Sequence, residues 1–376
     1  MRRIPELDAL RGIAALVIVV FHLRFTGRYP VLGTAVDLFF VLSGYLITTI
    51  LFRTCRAPGF YRNFCIRRAL RIWPIYYLSF PVFLGLNAIL PHPQPIDALP
   101  YFLTYTQFVP AYWGGAIPTF SPMYRHTWTL AIEEQFYLVW PWVVRLAGRR
   151  GLWAVLIPLA ILPTVLRSRG VFGHLLLTRC DGLALGAMLA AVLYDQARLD
   201  RHRVAFRVGF GLMGLASLAC RIYAIPIQAA LAANWPAHPW HMIVPAIALL
   251  VTAVMYAGLV GFVLCSVGHP ALAVLRDRRL CYLGQISYGM YLYHPMVFTA
   301  VALIHFKLGL RGSATIDALK VAACVGLAAL SWRFIERPCL ARKDRLTLGA
   351  GGEMPRAHAN GPHFAVNPAI RDKITG

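Results

Sequence analysis

Charge is what this sequence has least of. Asp, Glu, Lys and Arg make up 14% of its 376 residues, while hydrophobic types reach 59%; a soluble domain carries about 25% charged residues. That shortage argues against water as the main solvent of the fold. A soluble enzyme with a greasy core would divide its apolar residues into runs of about 10–14 bounded by turns, yet 242–267 contains no Lys, Arg, Asp or Glu at all. Acidic residues are the scarcest, 15 against 37 Lys and Arg, for a formal net charge of +22. Such an excess suits nucleic acid only where the basic residues share one face of a domain with aromatics between them. Here they gather in short stretches between apolar runs, so nucleic acid is not expected as a partner. The eight cysteines form no Cys-x-x-Cys pair and lie mostly inside or beside apolar runs. That pattern points to packing residues rather than a zinc site or disulfide framework, and no metal is expected. No internal repeat is visible, which weighs against a transporter built from inverted halves.

What is present is a series of apolar runs, predicting an all-α, polytopic membrane protein of about ten transmembrane helices. The spans fall near 12–28, 36–52, 72–90, 127–145, 152–166, 174–194, 206–223, 242–266, 281–305 and 316–336. The start has the basic head and short apolar run of a secretory signal, but no small-residue cleavage pattern follows, so it reads as a retained first helix. With the N-terminus inside, 27 of the 37 basic residues fall on inner segments, which places both termini in the cytoplasm. The segment 91–126, rich in Pro, Tyr and Phe, either caps a cavity or lies at the lipid headgroups. The reading divides the chain into a membrane domain over 1–340 and a disordered cytoplasmic tail over 341–376, poor in periodic apolar residues.

Ionisable side chains inside a membrane are costly, so each is a candidate for function. Arg11 and His22 are eleven positions apart, which on an α-helix brings them within about 20° of one face and about 16 Å apart. A histidine there can take a proton from a hydroxyl, carry an acyl group, or serve only as packing glue; a cation below it can hold a phosphate. Glu133 and Glu134 enter an apolar span together. One is expected to face protein or a wet cavity, either tuned for catalysis or paired with Arg179 in a later span. In FYRNFCIRRALRIWPIYYL, Arg67 and Arg71 stand at i and i+4 with Arg68 beside them. Their guanidinium forks suit the phosphates of a donor nucleotide, and equally a topology signal or lipid headgroups.

Seven stretches, in order over about residues 3–340, resemble the membrane-bound acyltransferase 3 family, which includes O-acetyltransferases of lipopolysaccharide, peptidoglycan, nodulation factors and macrolide-type metabolites. They are PELDALRGIAALVIVVFH, VDLFFVLSGYLIT, FCIRRALRIWPIYYL, TWTLAIEEQFYLVWP, TRCDGLALGAMLA, ISYGMYLYHPMV and SWRFIERP. The resemblance implies an integral enzyme of the cell (inner) membrane, with acyl-coenzyme A, commonly acetyl-coenzyme A, as donor on the cytoplasmic side. It implies His22 as catalytic base or acyl carrier, Arg11 as its partner, Glu133 as a second essential group, and Arg67, Arg68 and Arg71 as donor contacts. Tyr288, Tyr291 and His294 also fall in one of its motifs. Two departures stand out: Thr129 replaces a serine common in the family, and the esterase-like domain appended in many relatives is lacking, so the membrane unit is expected to act alone or with a separate partner. The expected partners are a carbohydrate-containing or small-molecule acceptor and membrane lipid. The rival readings are a transporter or flippase of an acylated or sugar-linked substrate, and a polysaccharide polymerase, which would need more outer arginines than Arg125.

Overall fold

A computed structural model describes residues 3–25, 30–110, 121–171, 174–234, 240–308 and 314–348, and every regular element among them is helical. The principal helices are α1 (Pro5–Val20), α2 (Ala35–Thr54), α3 (Phe60–Ala88), α4 (Trp128–Ser168), α5 (Asp181–Val192), α6 (Gln196–Asn234), α7 (Trp240–Cys265), α8 (Arg278–Lys307) and α9 (Ala314–Ser331). Two short π-helical segments, Phe21–Phe25 and Trp332–Glu336, continue α1 and α9.

Local chemistry explains several boundaries. Asp277 starts α8 by accepting from the amides of Arg279 and Leu280 at 2.8 and 3.2 Å, satisfying two donors that have no partner within the helix. Gly148, at φ 60° and ψ 177°, breaks α4 into two helical runs. Each run covers one of the expected spans, 127–145 and 152–166.

Among the described residues, seven helices are long and apolar enough to cross a membrane, with Pro122–Ser168 taken as one of them. The chain is thus a multi-pass membrane protein. Its outer surface agrees, since Leu212 and Leu215 on α6 are 63% and 66% exposed, a placement suited to lipid contact. These seven helices are fewer than the ten expected spans, and residues 26–28 of the first expected span lie outside the described residues. The 16 residues of α1 reach only about 24 Å, and 174–194 is divided between Leu176–Arg179 and α5.

Two features lock the helices around the site. A Cβ on Gly284 of α8 would stand 1.9 Å from the carbonyl oxygen of Asp8, so only glycine lets α8 lie this close to α1. Buried ion pairs tie the opposite side: Arg179 meets Asp37 of α2 at 2.7 Å, and Arg167 of α4 meets Asp181 of α5 at 2.9 Å. Arg167 also donates to the carbonyls of Thr178 and Ala246, joining α7 to the group. Asp37 is therefore the partner of Arg179, and the pairing with Glu133 or Glu134 that the sequence left open does not occur.

The stretch expected as a disordered tail does not start free. Lys343–Leu348 is helical, with Thr347 buried and accepting from Arg67 at 3.2 Å; residues 349–376 lie outside the described residues, as does 111–120 of the outer segment.

Candidate active site

Five helices, α1, α2, α3, α4 and α8, enclose a cavity. Arg11 comes from α1, Phe39 and Ser43 from α2, Arg68 and Arg71 from α3, Thr129, Glu133 and Tyr137 from α4, and Ser287, Tyr288 and Tyr291 from α8. Three arginines and one carboxylate give the lining a positive balance. Among the described residues none of these four forms an ion pair, and the Nε of Arg11 is buried without a partner. That is an environment for an anion, with guanidinium donors left over for its oxygens.

The carboxylate is held by hydroxyls instead. Tyr137 donates to Glu133 Oε2 at 3.1 Å, and with its proton so placed its oxygen accepts from Ser43 at 2.5 Å. Arg68 lies over the Tyr137 ring, 5.2 Å from its centre, so the same tyrosine orients both charges. Glu134 points elsewhere and accepts from Trp73 at 3.2 Å. Successive residues of a helix are turned by about 100°, so only one of the two glutamates can face the cavity.

Beyond the cavity stands a group of three imidazoles. Tyr291 is the last residue of α8 to line the cavity; its hydroxyl donates to the carbonyl of His126 at 2.6 Å and accepts from Thr129 at 2.7 Å. One turn further along α8, the His294 ring centre is 4.9 Å from that of His126 and 4.8 Å from that of His22. His22 is half-buried, on the π-helical segment, and its Nδ1 donates to the carbonyl of Ile18 at 2.8 Å.

Residues 4–333 match the family model described as an acyltransferase domain. The chain belongs to the acyltransferase 3 family. This acyltransferase is 28% identical over 369 residues to "Peptidoglycan O-acetyltransferase OatA" of Listeria monocytogenes serovar 1/2a (strain ATCC BAA-679 / EGD-e), covering 89% of this chain and 55% of that protein. It is 28% identical over 371 residues to "Putative O-acetyltransferase SACOL0978" of Staphylococcus aureus (strain COL), covering 90% and 57%. Against "Putative peptidoglycan O-acetyltransferase YrhL" of Bacillus subtilis (strain 168) it is 30% identical over 371 residues, covering 90% and 55%. The chain thus spans a little over half the length of these relatives. No solved structure matches it.

Within this acyltransferase the predicted site residues separate into three places. Arg11, Arg68, Arg71 and Glu133 line the cavity together, while His22 lies past its far end and Arg67 turns away to Thr347. The pairing of Arg67 with Arg71 on one face is therefore corrected: Arg68 and Arg71, at i and i+3, share the inward face. Sequence reasoning gave no role to Ser43, Tyr137 or His126 and left His294 as a motif residue. A signal existed, since His126, Thr129, Glu133 and Tyr137 recur at three- and four-residue steps, as do Ser287, Tyr291 and His294. Among the described residues no group of three or more His, Cys, Asp or Glu side chains is arranged to hold a metal.

Proposed function

We propose that this acyltransferase moves an acyl group, acetyl by family resemblance, from acyl-coenzyme A to a hydroxyl of a carbohydrate-containing acceptor, with His22 as the base. The observation that carries this reading is the cavity lined by unpaired Arg11, Arg68 and Arg71, whose wall residue Tyr291 adjoins buried His126 and His294, with half-buried His22 next to His294. Arg68 and Arg71 take the donor's phosphates, and Arg11, further along α1, takes the remaining negative charge. Glu133, held by Tyr137, offsets part of the positive charge of the guanidinium groups. The acceptor oxygen attacks the acyl carbon while His22 removes its proton, either directly or after first carrying the acyl group itself. Arg67, engaged with Thr347, is assigned no donor contact.

In this reading the chain crosses the cell membrane ten times with both termini in the cytoplasm, so the arginine end of the cavity meets the soluble donor. The names of relatives make peptidoglycan the first acceptor to try. The test is to incubate membranes containing the protein with labelled acetyl-coenzyme A and extract every fraction. The wild type is expected to label an acceptor, and His22→Ala is expected to lose transfer by at least about 10²-fold while still inserting and folding. Retained transfer by His22→Ala overturns the assignment.

A further inference from the structure

Among the described residues, the surroundings of the three imidazoles offer hydrogen-bond acceptors and no free donor. The Nδ1 atoms of His22 and His294 each lie 2.8 Å from a carbonyl, of Ile18 and Tyr291 respectively. A carbonyl only accepts, so in a neutral ring each Nδ1 carries the N–H and each Nε2 presents a lone pair. The His294 Nε2 is buried without a partner, and so are both ring nitrogens of His126. The protein groups near the His126 ring are the carbonyls of Tyr291 and Leu292, again acceptors. The neighbouring hydroxyl, that of Tyr291, already gives its proton to the His126 carbonyl. His294 is 0% and His126 9% exposed, and leaving buried polar atoms unmatched is costly. A neutral His126 carries one N–H, which faces the carbonyls of Tyr291 and Leu292, and one lone pair; a molecule bringing its own O–H or N–H donors would match that lone pair and the one on His294, and half-buried His22 is the side from which it can enter.

We propose that His126 and His294 belong to the acceptor site and, with His22, form a pocket of imidazole lone pairs that receives an alcohol bearing a second donor beside the reacting hydroxyl, as neighbouring sugar hydroxyls do. This rests on the reading of His22 as the base. The reacting O–H breaks as its proton passes to His22 Nε2. The oxygen bonds to the acyl carbon, the thioester C–S bond breaks, and the departing thiolate takes the proton back from His22. His126 and His294 accept hydrogen bonds from the acceptor and fix which hydroxyl faces His22; they exchange no electrons in the step.

Amide replacements separate this role from packing. His294→Asn can keep the N–H to the Tyr291 carbonyl but has no lone pair at the Nε2 position, whereas His294→Gln places an amide oxygen there and gives up that N–H. His126→Phe keeps a ring of similar shape and deletes both unmatched nitrogens. In native-host membranes with labelled acetyl-coenzyme A, His294→Asn and His126→Phe are expected to lower transfer about 10²-fold and His294→Gln less than about tenfold. Donor KM is expected to be unchanged in all three, and the unfolding temperature of His126→Phe equal to or above that of the wild type. Equal loss in the Asn and Gln variants, better retention in Asn, or full transfer by His126→Phe overturns the proposal and leaves the rings as packing. If the wild type labels nothing, or His22→Ala still transfers, the broader reading falls and this one with it. If His22→Ala is inactive while His294→Asn and His126→Phe transfer normally, only this inference fails.

Discussion

Two sets of buried or half-buried arginines divide this molecule. Arg167 and Arg179 are ion-paired inside the protein, each to an aspartate at under 3 Å and, for Arg167, bonded to two carbonyls besides, with only the Nε of each left without a partner. Arg11, Arg68 and Arg71 converge on a cavity without an ion pair among them, the one carboxylate that lines it held by a tyrosine. A charge in a membrane protein must meet either a fixed counter-charge or a wet space. The first solution builds the fold, because four interior charges can be satisfied only when α2, α4, α5 and α7 are in place. The second leaves donors available, and so selects a ligand.

The comparison can be broken first at the matched pairs, where the largest effect is expected. Arg179→Ala strands Asp37 in the interior and should cost about 3–5 kcal/mol, seen as a collapse of the folded fraction in size-exclusion chromatography and a lower unfolding midpoint. Replacing Arg179 and Asp37 together by Met and Leu should recover most of that loss; failure to recover would mean that the pair does more than cancel charge. At the cavity, Arg71→Ala should leave the unfolding midpoint within about 0.5 kcal/mol of the wild type. Its donor KM should rise about 10–100-fold, the worth of a charge-assisted hydrogen bond of about 1.5–3 kcal/mol. A loss of folded protein in that variant would erase the distinction between the two sets. Raising ionic strength from about 0.01 M to about 0.15 M should raise donor KM a few-fold, because an open basic cavity is screened, and should leave the Arg167–Asp181 region intact by hydrogen exchange. The smallest effect belongs to Arg67→Ala, which should change donor KM by less than about twofold, since that side chain serves Thr347. A larger rise would return Arg67 to the donor site.

Much of this was legible beforehand because a membrane makes hydropathy a strong signal. The all-helical, multi-pass class holds with seven membrane-length helices among the described residues, and the cost of intramembrane charge singled out Arg11, Glu133, Arg68 and Arg71, which the fold brings to one cavity. The errors have particular causes. The i, i+4 rule put Arg67 with Arg71, but a helix bearing three arginines has two candidate faces, and only the packing of α4 and α8 against α3 decides which turns inward. Arg179 was offered to the glutamates because both lie in apolar runs; its true partner, Asp37, is 142 positions away in sequence. The Arg11–His22 stripe assumed an unbroken α-helix, whereas His22 stands on a π-helical turn, which alters the register of the residues it carries. His126 escaped notice because its importance lies in lacking a partner, and partners are a property of three dimensions.

The sequence by itself determined the solvent, the helical class and the small set of charged groups that the membrane would not tolerate without purpose, because transfer from water to lipid depends on residue type and local order along the chain. Only the tertiary structure decided which charges cancel each other, which are left facing a cavity, and that three histidines 104 and 168 positions apart in the chain meet beyond its far wall. Those outcomes depend on distances of a few ångströms between helices, set by contacts such as the one where Gly284 lets α8 rest on α1.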